Sequence, residues 1–255
     1  MKSLTDFKVS EYCLVIDILG TTNKMANPNY FLNALNDLLN IVKLAYQGSA
    51  DIGNPEDSVP FFQFGDTIVF AFDDPHELVS LGCRIFSDAF YNNKGILLQG
   101  CISNGGLFYI NDLTDLKGIP VSLPTMHPQL VFGLSIVSAF AAMRGIVGPR
   151  LLINEEWGGI TTNRTWRKYP FTNLFPSTRG NETSYRISDI EWWINIIDLD
   201  EFVDKLIAET KTEYQQRKNG LENNMETQEK RELQGFEARI KHLETFKRMI
   251  EKDNL

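Results

Sequence analysis

The sequence predicts an α+β protein, a ferredoxin-like βαββαβ core followed by a C-terminal helical appendage, and three observations lead to that class. The apolar residues change period along the chain in the order strand, helix, strand, strand, helix, strand. The two middle strands are hinged at Gly65-Asp66, as in a tight hairpin. From about Leu199 the composition turns charged and helical, which divides the chain into a main domain, residues 8–198, and a helical hairpin or tail, residues 199–255. Strands and helices in that order form an antiparallel sheet with both helices on one face.

Glu11 to Ile18 reads as a buried strand. Asn27 to Tyr46 reads as an amphipathic helix, with Leu35, Leu38, Leu39 and Val42 at helical spacing and Asn27-Pro28 as its start. After the polar stretch Gly48 to Asp57 come the hairpin strands, Val59 to Phe64 and Thr67 to Phe72. Asp74-Pro75 then caps a second helix that runs to about Asn92. Ile96 to Ile102 and Leu107 to Ile110 are expected to be two strands around a hairpin turn at Asn104-Gly105-Gly106. Val131 to Met143 reads as a third helix, Leu151 to Asn154 as a short strand, and Tyr185 to Ile187 with Trp192 to Ile197 as further strands or edge pieces. Between them Gly158 to Glu182 is polar and irregular, expected to be a loop and a candidate flap. In the tail, Phe236, Ile240, Leu243, Phe246, Met249 and Ile250 recur at three- and four-residue intervals, and Asn219-Gly220 separates two helices. So narrow a seam suits packing on the chain's own domain or on a partner, in support of dimerisation; a solvated, frayed tail is the alternative.

At 255 residues and 43% hydrophobic, the chain can bury a substantial core. Neither an eighteen-residue apolar stretch nor a basic-then-apolar leader occurs, so no membrane span and a cytoplasmic location are expected. Cys13, Cys83 and Cys101 are odd in number and lie in apolar contexts, which suits buried reduced thiols. A net charge of -8 argues against nucleic acid as the general partner, while leaving room for a local basic pocket.

The candidate site is a pair of acids. Asp17 interrupts the first strand and Asp66 the hairpin, each beside apolar neighbours and a nearby glycine. An aspartate so placed costs burial energy unless it is paired, hydrogen-bonded or facing a polar site. In the split βαββαβ arrangement the two lie at one end of the sheet, where two carboxylates can hold Mg²⁺ or Mn²⁺. Magnesium takes a few carboxylates together with substrate phosphates, so a nucleoside triphosphate completes the set. Gly20-Thr21-Thr22-Asn23, directly after this strand, offers small residues and backbone N–H groups to phosphate oxygens. The chemistry expected is phosphoryl transfer with two ions, one activating a sugar hydroxyl and one neutralising departing pyrophosphate. The plainer reading is a common Gly-Asp turn and an aspartate that caps a neighbouring helix.

Ile16-Asp17-Ile18-Leu19-Gly20 and Phe64-Gly65-Asp66-Thr67-Ile68-Val69, in this element order, resemble the class III nucleotide cyclase catalytic domain, and most closely the pyrimidine cyclases of bacterial Pycsar antiphage systems. A glycine-rich strand and the helix start Gly133-Leu134-Ser135-Ile136-Val137-Ser138-Ala139-Phe140 extend the likeness over approximately Tyr12 to Asn154. The resemblance implies a homodimer with composite active sites that converts UTP or CTP to the 3′,5′-cyclic monophosphate and pyrophosphate, with the messenger-sensing effector encoded separately. It implies that Asp17, Asp66 and the backbone of Ile18 bind the metals and that Leu19, Gly20, Thr21, Thr22 and Asn23 hold the phosphates. Phe62, four residues before Asp66, stands where purine cyclases generally carry a base-reading lysine. Gln99 stands where the pyrimidine enzymes tend to carry arginine, and its neutral amide can read a uracil or cytosine edge. The asparagine and arginine that stabilise the transition state in ordinary class III cyclases fall near Val137 and Ala141, and neither donates to phosphate. Arg144, about one turn later, is the candidate substitute, with Arg150 or the Arg164 to Lys168 segment as other sources of a cation. Two alternatives stay open: an impaired cyclase-like module that binds nucleotide or a partner without turnover, and a purine cyclase of the same fold.

Overall fold

The computed structural model describes residues 8–19, 28–47, 61–64, 66–92, 96–110, 130–144, 148–154, 166–172, 184–193, 196–220 and 227–253. The predicted order holds. Strand β1 (Lys8–Ile18) is followed by α1 (Pro28–Gln47), the hairpin β2 (Phe61–Phe64) and β3 (Thr67–Phe72), helix α2 (Pro75–Ser87) and β4 (Leu98–Ile110). These four strands lie in the order β2-β3-β1-β4, all antiparallel, with Phe64 opposite Thr67. The Asp74 carboxylate caps α2 by accepting the His76 N–H at 2.8 Å, and the helix widens into a π turn (Asp88–Asn92) at its end.

Four sequence expectations need correction. Asn104-Gly105-Gly106 does not turn the chain. β4 continues through it as one thirteen-residue strand, because φ values of 131° at Gly105 and 77° at Gly106 absorb a bulge between the pairs Ser10–Leu107 and Tyr12–Asn104. The third helix starts later than Val131. Leu130–Gly133 is a strand, β5, paired with the far half of β4, and α3 runs over Leu134–Arg144. The polar stretch 158–182 contains strand β7 (Trp166–Thr172), which pairs along its whole length with β8 (Ser184–Ile190). Trp192 and Trp193 are in a turn and buried, not in a strand. Leu151–Asn154 forms β6 as expected; it joins β4 in parallel and β8 antiparallel, which extends the sheet on that side to β6-β8-β7.

Strand alternation divides the core between the two faces of the sheet. On one face Leu14, Ile16, Ile68, Phe70, Leu98, Ile102 and Leu151 pack against α1 through Leu38, Ile41, Val42 and Ala45, and against α2 through Leu78, Leu81, Ile85 and Phe86. The tail docks on this face as well. Helices α4 (Leu199–Asn219) and α5 (Thr227–Asp253) bring Val203, Leu206, Leu243, Phe246 and Ile250 into the same cluster. Phe246 stacks on Trp192 at 5.3 Å and meets Phe90 and Trp193 edge-on. His242 on α5 accepts the Gly148 N–H at 3.0 Å, tying the tail to the segment before β6.

The opposite face is covered by α3. Its buried positions Ser135, Ser138, Ala139, Ala142 and Met143 follow helical spacing and are mostly small, so the helix lies close over Cys13, Val15, Val69, Cys101 and Leu152. All three cysteines are free, and burial pushes the Cys13 and Cys83 thiols up to about 12, which leaves them protonated. Among the described residues, no helix is long and apolar enough to cross a membrane.

Candidate active site

On the α3 side of the sheet the strand register produces two lateral rows. One is apolar, Phe62–Val69–Val15–Cys101–Leu152. The next row toward the end of β1 is polar: Thr67, Asp17 and Gln99 stand side by side on β3, β1 and β4. Asp66 occupies the turn immediately before Thr67.

The Thr67 hydroxyl donates to Asp17 Oδ1 at 2.9 Å. Burial, and then the neighbouring charge of Asp66, push the Asp17 carboxyl up from 3.8 to about 6, against the lowering effect of hydrogen bonds from Thr67 and the Ile18 backbone. The structure therefore brings the two acids within electrostatic reach at one end of the sheet. A divalent cation between them would relieve the repulsion that raises Asp17. The hard oxygen donors fit Mg²⁺ or Mn²⁺, and among the described residues no cluster of three or more His, Cys, Asp or Glu offers a closed all-protein cage. Two carboxylates with open positions suit an ion shared with a phosphate-bearing substrate.

The other predicted site residues fall in different surroundings. Leu19 is half-buried against the core, and its N–H donates to Leu97 O at 2.8 Å, which engages that amide in the sheet. Gly20, Thr21, Thr22 and Asn23 lie outside the described residues. Phe62 is on the site face but only 1% exposed, packed in the apolar row. Gln99 is 6% exposed, and its amide nitrogen donates to Met143 O at 2.8 Å, near the end of α3. Arg144 is the last residue of that helix, so its backbone lies beside the polar row. Val137 is 51% exposed on the outer face of α3. Arg150 is buried in an ion pair with Asp189, Nε to Oδ2 at 2.7 Å and a second guanidinium nitrogen at 2.6 Å. That makes it a structural cation on the site side of β6.

Sequence reasoning missed Thr67 as a site residue, although a hydroxyl directly after Asp66 and in front of an apolar run was a visible signal. The partnership of Arg150 with Asp189 was not visible, because Asp189 lies in the part of β8 beyond the expected strand.

No protein-family model and no curated protein matches the sequence. Among solved structures the chain is similar to a bacterial light-regulated adenylyl cyclase, with 11% identity, a TM-score of 0.50, and coverage of 78% of this chain and 56% of that one. The fold is that of the class III nucleotide cyclase catalytic domains. Further matches are the guanylyl cyclase Cya2, with 13% identity over 72% of this chain and 92% of that one at a TM-score of 0.48, and the adenylyl cyclase CyaB from P. aeruginosa, with 14% identity over 72% and 95% at 0.47. In this cyclase-type fold Asp17 is the penultimate residue of β1 and Asp66 sits in the turn just before β3.

Proposed function

We propose that the chain is a pyrimidine nucleotide cyclase, which closes UTP, or CTP, to the 3′,5′-cyclic monophosphate with release of pyrophosphate and supplies a second messenger in antiphage defence. The observation that carries the reading is the placement of Asp17 beside Asp66 at one end of the sheet, where burial first and the charge of Asp66 second raise the Asp17 carboxyl to about 6, an arrangement that a bound cation would relieve. Asp17, Asp66 and the Ile18 backbone would hold Mg²⁺ or Mn²⁺, which when bound supplies polarisation of the ribose 3′-hydroxyl and charge neutralisation at the departing pyrophosphate. The chain's own part is to place the substrate. Thr67 fixes Asp17, the segment Gly20 to Asn23 would offer backbone N–H groups to the phosphates, and Arg144 would offer a positive charge to the α-phosphate. The 3′-oxygen then forms the new bond to the α-phosphorus, the bond to the bridging oxygen breaks, and the hydroxyl proton passes to solvent.

Pyrimidine preference is supported by Phe62, which leaves no lysine at that position to read a purine. A homodimer is supported by the exposed apolar side chains Leu134 and Val137 on α3, the helix that covers the same side of the sheet as Asp17. Incubation with each labelled triphosphate and Mn²⁺ tests the reading, and a cyclic product from UTP or CTP is expected. Product from ATP or GTP alone assigns a purine cyclase. Binding without product assigns a non-catalytic module, a second reading that the apolar Val137 and Ala141 on α3 favour. Asp66→Ala should abolish turnover with an unchanged circular dichroism spectrum; surviving activity overturns the site assignment.

A further inference from the structure

We propose that Gln99 is a positioning residue for the reaction, holding the C-terminal end of α3 against the aspartate row, and that it does not read the base. The inference rests on the cyclase reading above for its kinetic part and on geometry for the rest. Gln99 is the β4 register partner of Asp17, just as Thr67 is the β3 partner. Its side chain is buried, and its amide nitrogen reaches the carbonyl of Met143 at 2.8 Å. That carbonyl belongs to the last turn of α3, where backbone acceptors have no partner within the helix. A side-chain donor from the sheet therefore satisfies a buried helix end and sets how far α3 stands from β1 and β4.

The main chain on either side strengthens the placement. Gly100, the next residue on β4, donates its N–H to Arg150 O at 2.8 Å, so the entry to β6 is fastened beside the same point. Arg150 in turn is held by Asp189 on β8. Gln99 thus sits where the strand carrying Asp17, the helix ending in Arg144 and the strand after it meet. Shifting the end of α3 by even an ångström displaces Arg144 relative to the two carboxylates, and a misplacement of that size costs catalysis while leaving ground-state binding largely intact. Gln99 is 6% exposed and its amide is turned to the end of α3, which leaves it poorly placed to meet an incoming base.

The test uses the full chain and Gln99→Met, which keeps the volume and removes the donor; Gln99→Asn, which keeps an amide but is one methylene short, replaces it if that variant does not fold. We expect kcat to fall by about tenfold or more with KM changed little, and by the same factor for every triphosphate the wild type accepts. In an Arg144→Ala background the Gln99 substitution should have almost no further effect, because the two act as one unit. A changed preference among triphosphates would show that Gln99 reads the base, and additive losses would show that it acts apart from Arg144; either overturns the proposal. Amide hydrogen exchange gives a readout that needs no turnover. Exchange at Ala142 to Arg144 should speed up in Gln99→Met while α2 keeps its protection, and unchanged exchange at the end of α3 would refute the clamp even in a protein that makes no cyclic product.

Discussion

Asp17 is held in its position by Thr67 on one strand while burial and Asp66 both oppose its charge. A carboxyl raised from 3.8 to about 6 by folding stabilises the fold while protonated, below about pH 4, and loses that contribution as pH rises through about 6. Metal-free protein should therefore be less stable at pH 7.5 than its Asp17→Asn variant, by about 1–2 kcal/mol after allowance for solvent screening of a partly exposed group. Urea unfolding at the two pH values measures this, and the gap between variant and wild type should close near pH 4. Added Mn²⁺ should stabilise the wild type alone. Thr67→Val removes the hydroxyl that orients Asp17 and should weaken Mn²⁺ binding by about tenfold, with Thr67→Ser close to wild type by calorimetric titration. Equal affinity in all three proteins would exclude an orienting role for Thr67. Both aspartates were legible from sequence because a charge in an apolar run must be compensated; the signal of Thr67 was weaker, since a threonine in a strand is also an ordinary strand former.

At the level of elements, β4 shows how a local signal is overruled by pairing. Asn-Gly-Gly is a hairpin sequence in isolation, yet Lys8 to Ser10 of β1 offer partners to Leu107 to Tyr109, and continuing the ladder satisfies more backbone than turning would. The glycines then serve the bulge and a close approach. A Cβ on Gly133 of β5 would lie 2.2 Å from Gly106 O and 3.0 Å from Leu107 Cα, so Gly133→Ala must push β5 off β4. We expect a loss of about 1–3 kcal/mol in denaturant unfolding. The buried Arg150–Asp189 pair is a second element-level constraint, joining β6 to β8. Asp189→Ala strands a buried guanidinium and should cost about 3–5 kcal/mol, whereas an exposed pair such as Lys211–Glu244 should cost less than about 1 kcal/mol. Comparable losses in the two would contradict the burial argument.

Across the whole molecule the C-terminal helices belong to the core. Between them, Lys211–Glu244, Arg217–Glu232 and Lys247–Asp204 bridge exposed surfaces, while Phe246 fills a site ringed by Phe90, Trp192 and Trp193. Phe246→Ala should cost about 3–5 kcal/mol, and the single transition monitored by tryptophan fluorescence should shift as one with that monitored by circular dichroism. Deleting residues 199–255 should leave a chain that binds hydrophobic dyes and unfolds without a cooperative transition. A truncated protein with a sharp transition at the wild-type midpoint would show that the aromatic cluster is dispensable.

The βαββαβ order, the hairpin at 65–66, the α2 cap at Asp74 and the two acids follow from sequence alone, because each depends on residues near one another in the chain: periodicity, a turn dipeptide, a capping carboxylate, a charge among apolar neighbours. Pairing across long separations decided the rest. The bulge through which β4 continues, the strand hidden at 166–172, the Gln99 link to Met143, the Arg150–Asp189 bridge and the docking of the tail on the aromatic cluster all join residues whose partners are distant in the sequence, and only the folded sheet brings them together.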